Sequence, residues 1–158
     1  MTDLPTYTAS DLDHLNGLSF PSFTNEDAVA LGLVAVEVIR ERDLSLAVEI
    51  RRGEDVLFVA KLKETGPGND PWLAGKAAVV RRFGKPSLQV KLEHLETGSP
   101  FEDRTDVDHE VLKAHGGCIP LRVGGEIVGT LTMSGEPDVI DHQVAAEAIE
   151  RYLGRLAR

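Results

Sequence analysis

Apolar residues are concentrated in two pairs of short segments, and a glycine-containing turn separates the members of each pair. The segments are Leu46–Arg51 with Val56–Lys61 around Gly53-Glu54-Asp55, and Cys118–Val123 with Ile127–Ser134 around Gly124-Gly125. Short runs of β-branched and aliphatic residues bounded by such turns are typical of antiparallel hairpins. The Gly-Gly dipeptide favours the positive φ angles of a two-residue hairpin loop. The pattern therefore predicts four strands in two hairpins.

Hydrophobic residues recur at helical spacing near both ends of the chain. Ala28–Arg42 is apolar on most sides, and Thr24 followed by Asp27 is a pattern that caps helix N-termini. Because such a helix is buried on most sides, we expect it to pack between the sheet and another helix or subunit. Residues 137–157 carry a wide apolar stripe that suits a helix lying along a sheet. Long helices are thus predicted near both termini.

Shorter helices are predicted in the middle of the chain. Asp70-Pro71 begins a segment whose helical stripe contains Trp72, Lys76, Val79, Val80 and Phe83. After Pro86, leucines at 88, 92 and 95 fit a helix, although residues 88, 90 and 92 also alternate as in a strand; the helix is preferred. Asp108–Ala114 is predicted to form a further short helix.

The order of these elements indicates an α+β fold, with a central antiparallel sheet covered by helices. Residues 1–23 contain two prolines and little periodicity, so they are predicted to be an extended arm or weak helix lying over the domain. The single domain is predicted to span residues 24–158. A fifth strand would have to come from the arm or from residues 88–92.

Composition and charge limit the possible partners. A chain of 158 residues with 42% hydrophobic content suits one domain with a substantial core. Its 26 acidic and 17 basic residues give a net charge of −9, which argues against binding to nucleic acid or to anionic membranes. A single cysteine cannot form an internal disulfide, and we find neither a targeting signal nor a membrane-spanning run. A cytoplasmic location is expected.

Several motifs together resemble one protein family. They are Ala-His-Gly-Gly at 114–117, Val-Gly-Thr-x-Thr-x-Ser-Gly at 128–135, Asp-His at 141–142, and Asn-Asp-Pro-Trp at 69–72 followed by Lys76 and Val-Val-Arg-Arg-Phe-Gly at 79–84. With these motifs the chain resembles the haem-degrading-domain family, the GlcG/HbpS-like proteins, and within it a branch of small members. The resemblance implies a profilin-like version of the α+β fold and haem as a candidate ligand.

The candidate ligand-binding residues lie around the second hairpin. They are His115, Gly116, Gly117, Ser134, Gly135 and His142, with Lys76 and Arg82 added from the preceding helix. Glycines leave the backbone bare, so either a ligand or another chain segment can approach it closely. Backbone N–H groups between Ser134-Gly135 and the last helix could hold a carboxylate or phosphate. No structural metal site is predicted, since the chain lacks a Cys-x-x-Cys pair.

Individual residues at this site have alternative interpretations. His115 either fixes the Gly116-Gly117 turn by a hydrogen bond or faces a ligand. Cys118 is interpreted as a small buried core residue. His142 lies in the first turn of the last helix, where the helix dipole favours a neutral imidazole, and it either caps the helix or contacts a ligand. Trp72 is preferred as a core residue over a role in sandwiching a flat ligand.

Basic residues are clustered in one segment of this acidic chain. Lys76, Arg81, Arg82 and Lys85 lie within ten residues, and Arg122 is a candidate fifth member. Such a cluster could bind haem propionates, an acidic metabolite or the acidic segment 96–110 of a neighbouring subunit. The last is preferred, because it uses charges that the chain already has.

Two functions follow from these patterns. The first is a small homo-oligomeric protein that binds haem or another small anionic molecule, with no established catalysis. The alternative is an assembly or scaffold protein that acts through its oligomeric surface without a small ligand. An enzyme ranks behind both, because we find no residue pattern typical of nucleophilic or acid–base catalysis.

Overall fold

A computed structural model describes residues 3–158 and places them in a four-stranded sheet covered by helices. In chain order the elements are α1 (Asn25–Glu41), β1 (Ala47–Arg52), β2 (Asp55–Lys61), α2 (Asp70–Phe83), α3 (Ser87–Glu96), β3 (Cys118–Val123), β4 (Glu126–Ser134) and α4 (Asp138–Leu156). The predicted α+β class is confirmed, with its longest helices near the two termini. Residues 1 and 2 of the predicted arm lie outside the described residues.

The sheet is antiparallel throughout, in the order β2-β1-β4-β3. Both predicted hairpins form, and their inner strands join them by pairing Ala47 with Ser134 and Arg51 with Thr130. The β3–β4 turn has φ angles of 60° at Gly124 and 86° at Gly125, as its two-residue loop requires. Within residues 3–158 the sheet has four strands, and neither the arm nor residues 88–92 adds a fifth.

Different helices cover the two faces of the sheet. α1 and α4 pack on one face over aliphatic strand residues that include Val48, Ile50, Ile119, Leu121, Leu131 and Met133. The predicted cap of α1 is confirmed, since the Thr24 hydroxyl accepts the Asp27 N–H at 3.1 Å. α2 covers the opposite face, where Ala77 and Val80 pack with Cys118.

Among residues 3–158, no helix has both the length and the apolarity needed to cross a bilayer.

α3 confirms the helical interpretation of the segment after Pro86 and explains its strand-like pattern. Leu88 is buried in the main core, whereas Val90 is buried in a separate cluster with Val79 and Phe101. Two residues that are two positions apart are therefore buried on different sides of one helix. Apolar residues alternate in this segment because they pack in two neighbouring clusters, not because the backbone is extended.

The prediction of a helix at Asp108–Ala114 is wrong. The chain makes a turn at 109–111 and then continues without helical structure. There the Lys113 N–H donates to the Gly75 carbonyl oxygen at 3.1 Å, and Leu112 and Ala114 are buried in the cluster beside α2. The helix-like hydrogen bonds from the Val111 and Leu112 N–H groups to the Asp108 carbonyl oxygen therefore do not continue, because the next N–H group, that of Lys113, bonds to α2.

The N-terminal arm lies over the domain, as expected, and contains a 3-10 helix at Ala9–Gly17. Leu12, Leu15 and Phe20 are buried in the main core. The Phe20 N–H also donates to the Arg122 carbonyl oxygen at 2.8 Å, which holds the arm beside β3. The arm thus contributes side chains to the core that it covers, and the domain boundary at residue 24 remains a prediction.

Candidate functional site

A cleft of about 440 Å³ lies where the N-terminal end of α2 meets the end of β4 and the start of α4. We call it the His115 cleft. The residues that line it are Gly68, Asn69, Trp72, Lys76, His115, Ser134, Gly135, Glu136, Asp138 and Asp141. Four of the predicted site residues, at positions 76, 115, 134 and 135, are therefore brought together here.

A buried ion pair joins the elements that form the cleft. The Lys76 ammonium lies 3.0 Å from the Asp141 carboxylate and donates to the Met133 carbonyl oxygen at 2.9 Å. Both side chains are almost fully buried. Burial raises the pKa of Asp141 to about 6, although the Lys76 charge acts in the opposite direction. Lys76 thus links α2 to β4 and α4 and is already committed to a partner.

The predicted glycine pair is packed against the chain itself. A Cβ atom on Gly117, whose φ is 137°, would lie 2.4 Å from the Met133 carbonyl oxygen and 2.9 Å from the Lys76 ammonium. The Gly116 N–H donates to Asp138 at 3.0 Å, and Lys91 also donates to that carboxylate, at 2.8 Å. The close approach that the glycines permit is therefore used by neighbouring backbone and by the ion pair.

Gly135, on the other side of the cleft, is also packed against the chain itself. Its φ is 148°, and an added Cβ atom would lie 2.2 Å from the Ser45 carbonyl oxygen. The Glu136 N–H, next along the backbone, donates to Asp141 at 3.0 Å. Asp141 thus occupies the anion position that the sequence suggested for a ligand carboxylate or phosphate.

His115 stands at the cleft without a hydrogen bond from its ring to any of residues 3–158. Its Nδ1 is 3.9 Å from Asp138 and its Nε2 is 3.7 Å from Glu102, both beyond hydrogen-bonding distance. Burial, helped by the nearby charge of Lys91, lowers the pKa of His115 below its ordinary value. The turn at 116–117 is fixed by Asp138 instead. Of the two interpretations of His115, the geometry favours the one in which it faces a ligand.

Trp72 lies beside His115 and is not a core residue, contrary to the preferred prediction. The residue is 41% exposed, and its ring meets the imidazole edge to face, with 5.4 Å between the ring centroids. The Lys113 ammonium lies 4.7 Å from the indole centroid. Phe83, on the same predicted stripe, packs instead against Phe101 at the other end of α2. Trp72 alone therefore provides a flat apolar surface at the cleft.

His142 does not join this site, although its backbone is close to Gly116. Its side chain lines a separate cavity of about 300 Å³ and packs edge to face on Tyr7, at 5.3 Å between centroids. Burial lowers the pKa of His142 to about 4, and Nδ1 has no hydrogen-bond partner among the described residues. The imidazole is neutral, as predicted, but the main cause is burial rather than the helix dipole.

The predicted basic cluster is dispersed. Arg82 lies 3.7 Å from Asp106, and Lys85 lies 3.0 Å from Glu93. Within its own chain, Arg82 thus contacts the acidic segment 96–110 through Asp106, and the predicted contact of the basic cluster with a neighbouring subunit stays a prediction. Arg82 does not reach the His115 cleft, because it lies at the opposite end of α2 from Trp72.

Cys118 is a core residue, as interpreted from the sequence. It is fully buried, and burial raises the pKa of its thiol to about 12. A thiol that stays protonated is neither a nucleophile nor a good metal ligand. Among residues 3–158, no group of three or more His, Cys, Asp or Glu side chains is arranged to hold a metal ion.

Sequence reasoning missed the acidic lining of the cleft. Acidic residues are common in the first turn of a helix, so Asp138 and Asp141 carry no sequence signal of a cleft, although their spacing places both on one side of α4. Glu136 carries no local signal, and Asn69 stands out only as part of the Asn-Asp-Pro-Trp motif. The Glu136 carboxylate accepts the Ser45 N–H at 2.9 Å, and the Asn69 amide donates to the Ser134 hydroxyl at 3.2 Å. These contacts join segments that are distant in sequence.

Comparison with known sequences gives consistent matches over most of the chain. A family model described as haem degrading protein HbpS-like matches residues 23–150. A UPF0303 protein of Streptomyces coelicolor is 43% identical over 138 residues, which cover 87% of each chain. A UPF0303 protein of Acidobacterium capsulatum is 35% identical over 135 residues, covering 85% of this chain and 82% of the relative.

Solved structures share the fold at lower identity. The crystal structure of the Ybr137w protein superposes with a TM-score of 0.84 at 21% identity, covering 93% of this chain and 88% of that one. The crystal structure of a PduOC:heme complex superposes with a TM-score of 0.67 at 19% identity, covering 84% and 94%. At these identities the likeness establishes a common fold.

Proposed function

We propose a haem-binding function from the premise that this chain belongs to the family of HbpS-like haem degrading proteins. The PduOC:heme complex, which shares the fold, is a precedent for haem on such a scaffold. The His115 cleft is the proposed site. The function is proposed as binding, and the residues of the cleft are assigned no chemical step.

The observation that carries the proposal is that the His115 imidazole has a lowered pKa and makes no hydrogen bond to the described chain. Neutral imidazole is the form that binds iron, and burial keeps the His115 pKa low. Neither ring nitrogen is held by a hydrogen bond to the described chain, so a nitrogen would be free to bind iron. Trp72 stands against the same ring and offers an aromatic surface to a flat macrocycle. Bound haem would supply the iron, and His115 would hold it.

The charges of the cleft favour haem over a small free anion. Three carboxylates line it, at positions 136, 138 and 141. Lys76 is paired with Asp141 and Lys91 with Asp138, so neither ammonium group is free to bind a small anion. Ferric haem differs, because its iron centre is positive and its propionates can point away into solvent. We therefore propose that His115 would hold the iron and that Lys76 and Arg82 would not bind the propionates.

Replacing His115 with alanine is expected to weaken haem binding by at least about tenfold, because the imidazole nitrogen that would bind the iron is lost. The measurement is a haem titration followed through the Soret band, with wild-type protein alongside. His14→Ala is the matched control, since His14 is exposed and lines the other cavity. His142→Ala should likewise leave haem affinity unchanged. Loss of binding in the His142 variant but not in the His115 variant would refute this site.

We propose self-association as a second candidate function, because apolar side chains remain exposed on neighbouring elements. Leu33 on α1 is 59% exposed and Val59 on β2 is 51% exposed, while Val29 and Val56 are exposed beside them in the sequence. β2 is also an edge strand, so its outer backbone groups have no strand partner within residues 3–158. Phe58 packs on Gly32 of α1, so Val59 points to the face of the sheet opposite to α1. A second copy of the chain lying along the β2 edge would cover the apolar side chains on both sides of that edge.

Placing a charge on this surface is expected to convert the assembly into monomers. Leu33→Asp and Val59→Asp both put a carboxylate where apolar side chains would be buried between copies, and both positions are exposed enough to leave the fold intact. Size-exclusion chromatography with light scattering gives the mass. Val111→Asp is the control, since Val111 is equally exposed outside α1 and β2. A monomeric wild-type protein, or equal masses for all variants, would rule this surface out.

A further inference from the structure

We propose a second binding site, for the oxyanion group of a small molecule, at the end of α2 opposite to the His115 cleft. A cavity of about 400 Å³ lies there between Arg52, Arg81 and Thr130. We call it the Arg81 cavity. It is formed by the β1–β2 turn, the first half of β4 and the last turn of α2. Along α2, Arg81 follows Trp72 by nine residues, or roughly 13 Å, so the two sites are separate.

The two arginines of this cavity are not neutralised. Neither guanidinium has a carboxylate within 4.0 Å among residues 3–158, although acidic residues outnumber basic residues by 26 to 17. Arg52 donates to the Asn25 amide oxygen at 2.8 Å and to the Phe23 carbonyl oxygen at 2.9 Å. Arg81 donates to the Gly53 carbonyl oxygen at 3.2 Å. These neutral acceptors hold both guanidinium groups in place and leave their charges available.

Thr130 lines the same cavity and carries a polar atom without a partner. The residue is 1% exposed, and its Oγ1 makes no hydrogen bond to the described chain. Its neighbours across the sheet, Arg51 and Pro120, leave this hydroxyl unpaired. Because a buried hydroxyl without a hydrogen bond is costly, such groups are usually explained by an unseen partner. An oxygen of a bound anion would satisfy it by accepting its proton.

The two arginines and the Thr130 hydroxyl together indicate the chemical class of the ligand. Guanidinium groups bind carboxylate and phosphate through several parallel hydrogen bonds, and a hydroxyl adds one more donor. The cavity is larger than an inorganic anion needs, so the oxyanion is the end group of a larger molecule. Arg82, adjacent in sequence, is excluded because it faces Asp106. Of the predicted basic cluster, only Arg81 thus has its charge directed to a ligand site.

The test is an NMR titration of the full chain with inorganic phosphate at constant ionic strength. We expect saturable shifts of the amide signals of Gly53 and Thr130. Arg81→Gln should weaken binding about tenfold, since a charged hydrogen bond is lost. Thr130→Val should weaken it severalfold without lowering the unfolding temperature of the free protein, because the hydroxyl has no partner to lose. Arg82→Gln is the matched control and should bind like wild type.

Acetate, titrated in the same way, distinguishes the two sources of the anion. Tighter binding of phosphate would assign the site to a phosphate group, and tighter binding of acetate would assign it to a carboxylate. Equal effects of Arg81→Gln and Arg82→Gln would overturn the proposal, because they would indicate diffuse charge attraction. Absence of saturable shifts with both anions, or a lower unfolding temperature for Thr130→Val, would also overturn it.

Discussion

Replacing Lys76 with methionine is expected to lower the free energy of unfolding by about 3–5 kcal/mol at pH 8. Methionine keeps most of the apolar stem but removes the charge that faces Asp141 at 3.0 Å. The carboxylate then remains buried without its cationic partner, and the Met133 carbonyl oxygen loses a donor. The loss should be large because both side chains are almost completely excluded from solvent.

The same variant should be much less destabilised at pH 5. In the wild-type protein the pKa of Asp141 is raised from 3.8 to about 6, so the folded state binds this proton more tightly than the unfolded state. Its contribution to stability is therefore complete below about pH 4 and is lost as the pH rises through 6. Without Lys76 the pKa of Asp141 should rise further, so that a neutral carboxyl group is buried at pH 5.

Urea unfolding of the wild type and of Lys76→Met at pH 5 and pH 8 checks both expectations. Lys85→Met is the control, because the Lys85–Glu93 pair is partly exposed and should contribute less than about 1 kcal/mol. A loss for Lys76→Met that is equally large at both pH values would show that the charge of Asp141 is not its cause. A loss no larger than that of the control would contradict the buried pair itself.

Replacing Gly117 with alanine is expected to destabilise the fold by at least about 3 kcal/mol. The φ angle of 137° is one that residues with a side chain rarely adopt. In addition, the new methyl group would lie 2.4 Å from the Met133 carbonyl oxygen, which is backbone and cannot move aside easily. It would also press on the Lys76 ammonium, so the strain and the ion pair are affected together.

Gly154→Ala is the matched control for this substitution and should have the opposite sign. Gly154 lies in α4, and a Cβ atom there would meet no other atom within 4 Å. Alanine in a helix is favoured over glycine by about 0.5–1 kcal/mol, so the control should be slightly more stable than wild type. Thermal and urea unfolding of both variants give the comparison. A Gly117 variant as stable as wild type would show that the turn is not constrained as described.

The hairpins and helix boundaries could be predicted from the sequence because their signals are local. Gly124-Gly125 specifies its turn through φ angles alone, and Thr24 caps α1 through contacts within one turn of helix. Trp72 could not be placed in the same way. A helical stripe shows which residues share a side of α2, but only the packed structure shows that Trp72 lies beyond the edge of the core.

The candidate site could be predicted only in part, because its contacts join residues that are distant in sequence. Lysine in the apolar stripe of α2 indicates a buried partner, but the Asp-His motif at 141–142 does not show that Asp141 is this partner. His115 and His142 have neighbouring backbones and similar sequence settings, yet their side chains enter different cavities. The bases of α2 are close in sequence and diverge in space, because successive residues of a helix point in different directions.

The pairing of β1 with β4 also determines when the sheet can be completed during synthesis of the chain. The centre of the sheet joins Ala47 to Ser134, residues separated by more than half of the chain. On the ribosome, the first hairpin therefore emerges long before its central neighbour has been synthesised. Until β4 has been synthesised, one edge of β1 and the apolar side of α1 stay exposed. During this interval the nascent chain is most accessible to chaperones and most prone to aggregation.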